Sequence, residues 1–227
     1  MSHEGHYREA HPLIFVFTHG INLLCMIGLA FTGFYIHYPF FAGFMYSARM
    51  IHFVLMFVLV INLAARMILA FWVQTANQLG TRATDVDIKN WLPQEENKHQ
   101  FLETVKYYTF FRNVRVISGK YGALQKMAYL ATIPITLFMA YTGFAIYTPA
   151  HTWAIWPFFA AGISFFGSEM NIRVAHYFGM WVVILFTAVH AYLANIYNFA
   201  PSRLIFAWQE TPAAGEAASV SGKRAAS

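Results

Sequence analysis

The feature that most constrains this chain is the lack of formal charge over three long stretches, from Glu9 to Arg49, from Lys126 to Glu169 and from Arg173 to Arg203. Each exceeds the ~20 apolar residues that a helix needs to cross a bilayer. A fourth apolar stretch, Ala48 to Val73, carries charge only at Arg49 and Arg66. Backbone polar groups in lipid must be satisfied within the segment, and no alternating strand pattern is present, so the stretches read as helices. The expected fold is an all-α membrane protein, a bundle of four transmembrane helices at Pro12–Tyr38, Ala48–Val73, Leu124–Tyr147 and Ile172–Tyr197. The balance of 58% hydrophobic against 11% charged residues is far from that of a soluble domain. The first apolar segment is too long for a signal-peptide core and is followed by no small-residue cleavage site, so it is expected to stay in the mature protein.

A long polar loop, 74–123, separates the second and third helices; within it Leu102–Phe111 looks amphipathic and suited to an interface. Residues 1–211 read as one membrane domain, and 212–227, rich in Ala, Ser and Gly, as a disordered tail. Four helices put Arg8, the long loop and the C-terminus on one side. That side carries Arg82, Lys89, Lys98, Lys106, Arg112, Arg115, Lys120, Lys126, Arg203, Lys223 and Arg224, against Arg49 and Arg173 opposite. The positive-inside rule then makes both termini cytoplasmic and the loop a cytoplasmic one. The pI near 9.3 reflects this asymmetry, and no aromatic-basic module suggests nucleic acid.

An internal echo runs through the helices. The first and third end in FTGFYIHYP (Phe31–Pro39) and YTGFAIYTP (Tyr141–Pro149); the second and fourth open with ARMIH (Ala48–His52) and IRVAH (Ile172–His176). The echo is compatible with coincidence, with shared interface chemistry and with a two-fold repeat.

Four histidines lie inside the helices: His19, His52, His176 and His190. One intramembrane histidine is explained as well by a hydrogen bond to a neighbouring helix as by a ligand role, but four form a pattern. Fourteen residues at 100° each come within about 40° of four whole turns, so His176 and His190 share a face, separated by about 21 Å along the helix. They are too far apart for one metal ion. With the helix directions above, depth matches His19 with His190 on the inner side and His52 with His176 on the outer side. Each pair joins two helices at one level, as in a bundle that clamps a planar cofactor.

Two imidazoles and no other soft ligand suit six-coordinate haem iron doing electron transfer. Zinc or copper needs three or four ligands together. The single cysteine, Cys25, excludes iron–sulfur ligation, and without Cys-x-x-Cys-His the haems would be b-type. Arg49 and Arg173 each precede an outer histidine by one turn, which makes them candidates for the haem propionates, with snorkelling to headgroups as the plain alternative. Arg66, fourteen residues after His52, is a candidate for an inner propionate or a quinone. Gly20, Gly33, Gly143 and Gly179 would let a flat macrocycle approach the backbone.

One histidine in the first helix, one in the second and two fourteen apart in the fourth resemble the dihaem cytochrome b subunits that anchor periplasmic respiratory dehydrogenases, over about residues 10–205. That superfamily includes the cytochrome b subunit of nickel–iron hydrogenases and the gamma subunit of formate dehydrogenase. VKYYTFF (Val105–Phe111) followed by YGALQKMAYL (Tyr121–Leu130) is most similar to the hydrogenase subunit, although Gly122-Ala123 stands where that subfamily often has Asn-Pro. The resemblance implies two b haems, a hydrogenase with iron–sulfur and nickel–iron subunits on the periplasmic face, and delivery of electrons to a quinone, menaquinone first among them. It also implies a chain that does not itself act on hydrogen. The quinone would be sought near His190, the start of the first helix and Lys120–Gln125. Anchors of formate dehydrogenase or thiosulfate reductase and stand-alone cytochromes of the b561 type share this chemistry; a transporter or structural anchor is the rival of a different class.

Overall fold

In the computed structural model, residues 5–77, 80–91, 100–111, 123–196 and 198–213 are described. Four helices are long and apolar enough to cross a membrane: α1 (Leu13–His37), α2 (Met45–Trp72), α5 (Ala123–Ile146) and α7 (Glu169–Asn195). Between α2 and α5 lie β1 (Gln74–Ala76), β2 (Thr84–Val86), α3 (Asp87–Trp91) and α4 (Phe101–Tyr108). A 3₁₀ turn (Thr148–Thr152) and α6 (Trp156–Phe166) join α5 to α7, and α8 (Ala200–Ala207) follows α7.

Local chemistry sets these boundaries. Pro12 precedes α1 and its carbonyl accepts from the Phe15 and Val16 amides, while the Tyr38-Pro39 step forces the chain out of the helix. Pro157 stands in the first turn of α6, and Gly167 ends it at φ +84°, a left-handed conformation that costs glycine little. α7 is capped by Ser168, whose hydroxyl accepts from the Asn171 amide at 3.1 Å, with Glu169 at its positive end. Pro134 sits inside α5, a helix-interior proline that neighbouring helices make tolerable in a membrane span. The spans keep apolar side chains outward, Leu24 at 70% and Phe178 at 68% exposure, as a lipid-facing surface requires.

The expectation of no β structure is corrected. Gln74–Ala76 and Thr84–Val86 pair antiparallel, Gln74 opposite Val86 and Ala76 opposite Thr84. Three-residue strands are too short to carry a period-two signal. The amphipathic stretch placed at Leu102–Phe111 forms a helix over Phe101–Tyr108, with Thr104 and Tyr107 buried, and stops where Phe110 turns to φ +65°. The proposed tail falls almost wholly outside the described residues, as do Lys98, Arg112, Arg115, Lys120, Gly122, Lys223 and Arg224.

The chain divides into two compact units. One is formed by Ile21–Ala64 and Ala131–Ala191, and the other by the described residues of Met1–Gly20, Ala65–Leu130 and Tyr192–Ser227. In the first, all four spans meet. Phe53 of α2 stacks on Tyr147 at 3.8 Å, Phe34 of α1 meets Trp181 of α7 edge-on at 5.2 Å, and Asn62 donates to Asn22 at 2.6 Å. Such cross-helix polar bonds, like the aromatic packing, supply the association that apolar contact alone cannot give between helices in lipid.

The second unit is built around a buried charge pair. Arg66, near the end of α2, donates to the fully buried Asp87 at 2.6 Å, and Asp87 also accepts from Thr75 at 2.8 Å and from the Trp91 indole at 2.9 Å. The Arg66 guanidinium lies over the Phe15 ring, 3.8 Å from its centre. Three donors on one carboxylate offset the cost of taking it out of water. The chain ends are tied in too: His6 and Thr211 exchange backbone hydrogen bonds, and Arg82 pairs with Glu9 and, at 3.7 Å, Glu210.

Candidate haem-binding site

Within the first unit, His52 on the first third of α2 and His176 on the opening turns of α7 face each other. Their ring centres are 6.3 Å apart and the rings are inclined by 65°. An ion bonded at about 2 Å to each of two opposed imidazole nitrogens puts the ring centres about 6 Å apart. The two rings therefore stand at the separation of a pair of axial ligands. Among the described residues, no three His, Cys, Asp or Glu side chains gather as a metal site.

Each ring is held from a different helix in the same way. Thr32 Oγ1 of α1 lies 2.8 Å from His52 Nδ1, and Thr142 Oγ1 of α5 lies 2.8 Å from His176 Nδ1. The following residue is glycine in both helices. A Cβ added at Gly33 would stand 3.5 Å from His52 Cε1, and one at Gly143 would stand 3.3 Å from His176 Cε1. The two halves of the TGF echo thus make one contact twice. Composition and spacing assigned these threonines no role; the echo was the signal that could have found them.

The other candidates are more dispersed. His19 lies in the second unit, its ring edge-on to Phe206 at 6.3 Å, whereas His190 lies in the first, stacked beside Phe186 at 6.3 Å. Arg49 is exposed, and so is Arg173, which pairs loosely with Glu169 at 3.7 Å. Arg66 has a carboxylate partner inside the protein, Asp87, which sequence reasoning did not foresee. Gly20 faces open space, while a Cβ at Gly179 would collide with Met139. Of the residues suggested for a quinone, 120–122 fall outside the described ones and the side chains of 123–125 are not described.

Four membrane-length helices define a multi-pass helical membrane protein, and opposed imidazoles are a donor set that haem iron takes. Residues 10–206 match the family described as prokaryotic cytochrome b561, and the chain belongs to that family. Among curated proteins it is 29% identical over 191 residues to a probable Ni/Fe-hydrogenase B-type cytochrome subunit of Rhizobium leguminosarum, covering 78% of this chain and 75% of that protein. It is 25% identical over 193 residues to the probable Ni/Fe-hydrogenase 1 B-type cytochrome subunit of Escherichia coli K12 (78% and 77% covered). A similar subunit of Cupriavidus necator is also 25% identical, over 191 residues, with 78% and 74% covered. A b-type cytochrome family implies haem b and membrane electron transfer. His52 and His176 fit that group: their separation suits axial ligation, and glycine leaves room beside each ring.

Proposed function

We propose that this chain is the membrane anchor and electron-transfer subunit of a respiratory hydrogenase, carrying electrons from periplasmic iron–sulfur clusters to a quinone, menaquinone first among the candidates. The observation that supports it most is the opposed pair His52–His176, 6.3 Å apart on two membrane-length helices. His52 and His176 hold the outer of two b haems, and His19 and His190 the inner one. When bound, haem b supplies a reversible one-electron iron couple. His52 and His176 would hold the group with two imidazoles, which would leave no place for oxygen and favour electron transfer.

The chain's own residues do the rest. Arg49 and Arg173, one turn from the outer ligands and exposed, place positive charge at the end of the bundle where propionates need it. The apolar surface of the spans keeps water from the ligands. Both termini and the 74–123 segment lie on the cytoplasmic side of the cell membrane, and the iron–sulfur and nickel–iron subunits dock on the other. Electrons moving inward while protons are taken up there work with or against the membrane potential, about 2.3 kcal/mol per charge at 100 mV.

In membranes containing this chain and its partner subunits, hydrogen is expected to produce a reduced b-type spectrum and formate is not. Reduction by formate instead would reassign the chain to the formate dehydrogenase anchors.

A further inference from the structure

We propose that Thr32 and Thr142 are positioning residues for the outer haem: each clamps one imidazole so that Nδ1 carries the proton and Nε2 presents its lone pair to iron. The inference rests on the reading of His52 and His176 as haem ligands.

A threonine hydroxyl has one proton to give and can accept others. Thr32 Oγ1 lies 2.7 Å from the Gly28 carbonyl and 3.3 Å from that of Leu29; Thr142 Oγ1 lies 2.8 Å from the Phe138 carbonyl and 3.3 Å from that of Met139. Carbonyls only accept, so each hydroxyl spends its proton on its own helix. What remains toward the imidazole is an acceptor, and the 2.8 Å contact to Nδ1 is then an Nδ1–H donating to Oγ1. Both rings are left with Nε2 as the ligating nitrogen. Thr32 and Thr142 are themselves almost fully buried, 2% and 0% exposed, so water does not compete for either bond.

The same short sequence does a second job. Gly33 and Gly143 follow the threonines; a Cβ at Gly143 would come within 3.3 Å of the His176 Cε1, tighter than an ordinary contact, and one at Gly33 would touch the His52 Cε1 at 3.5 Å and crowd the Met180 sulfur at 3.2 Å. Threonine binds the ring and glycine admits it. A threonine that served only to glue helices together would need neither an imidazole partner nor a glycine after it, and both recur in both halves.

A donor bond from Nδ1 raises the basicity of Nε2, and the effect grows where the acceptor hydroxyl itself donates onward. A more basic ligand favours the ferric over the ferrous state, so the clamps lower the potential at which the outer haem gains its one electron. Thr32→Val and Thr142→Val keep the shape and remove the bond; Thr32→Ser and Thr142→Ser keep the bond and lose a methyl group. Redox titration of the purified complex, followed by its haem spectrum and electron paramagnetic resonance, compares them with the parent. The valine variants are expected to raise the outer haem's potential, with tenfold in the ferric preference corresponding to about 59 mV, and the serine variants to restore it. Loss of that haem from the valine variants with the serine variants intact supports the same clamp. Valine variants titrating like the parent, or valine and serine variants failing alike, overturn it. A parent that binds no haem at His52 and His176 would instead overturn the functional reading beneath.

Discussion

Replacing His176 with alanine is expected to remove one of the two proposed b haems and leave the other, halving the haem content in a pyridine haemochrome assay. The reason is geometric. The His52 and His176 ring centres stand 6.3 Å apart on α2 and α7, so either substitution would take away one of the two side chains that would hold the haem. Under the proposed path, hydrogen-driven quinone reduction should fall to background, because electrons would enter at the haem that His176 holds. His190→Ala should give the same haem count with the other haem lost, and the two deficits should differ in spectrum and potential. If His176→Ala kept both haems, the outer site would lie elsewhere; if it lost the inner one, the depth assignment would be reversed.

The second large effect concerns stability. Asp87→Ala should destabilise the second unit by about 3–5 kcal/mol, since breaking a buried pair from one side strands the other charge. Asp87 is fully buried and Arg66 retains 12% side-chain exposure, so neither charge recovers much water. Thr75 and Trp91 lose their acceptor at the same time. The double variant Arg66→Met, Asp87→Leu should cost less than Asp87→Ala alone, because it removes both charges and keeps the volume. Thermal unfolding in detergent, with protease cleavage within 74–91 as the local readout, would show the ordering. The same variants separate two roles for Arg66: a purely structural arginine changes stability alone, whereas one that also touches a propionate or quinone shifts a haem potential or the quinone KM.

Surface charges offer a contrast. Arg82, Glu9 and Glu210 form a partly exposed cluster, and ion pairs this open to water contribute little. Their value here is in joining the N-terminal segment to the residues after α8.

Span length and composition are legible in the sequence itself. The expected spans and the observed helices share their cores, with ends differing by at most three residues: Pro12–Tyr38 against Leu13–His37, and Ala48–Val73 against Met45–Trp72. The bilayer is a solvent that dictates length and composition, and both are properties of a linear string. The fourteen-residue spacing likewise places His176 and His190 on one face of α7 by helix periodicity alone.

Contacts between helices are another matter. How far each helix is rotated about its own axis decides which residues meet, and that rotation is set by packing against neighbours rather than by composition. Depth along the sequence paired His52 with His176, but only the tertiary structure could turn their rings toward each other, set Thr32 and Thr142 on those rings, and hand Arg66 to an aspartate twenty-one positions away. The short elements β1, β2 and α3 escaped for a related reason: a few residues hold no period, so only their partners make them ordered. Sequence alone determined four stretches long and apolar enough to cross a membrane and two histidines fourteen apart on one face of the last; the packing of those helices decided how the His52 and His176 rings face each other and what holds them, because rotation about a helix axis is set by its neighbours.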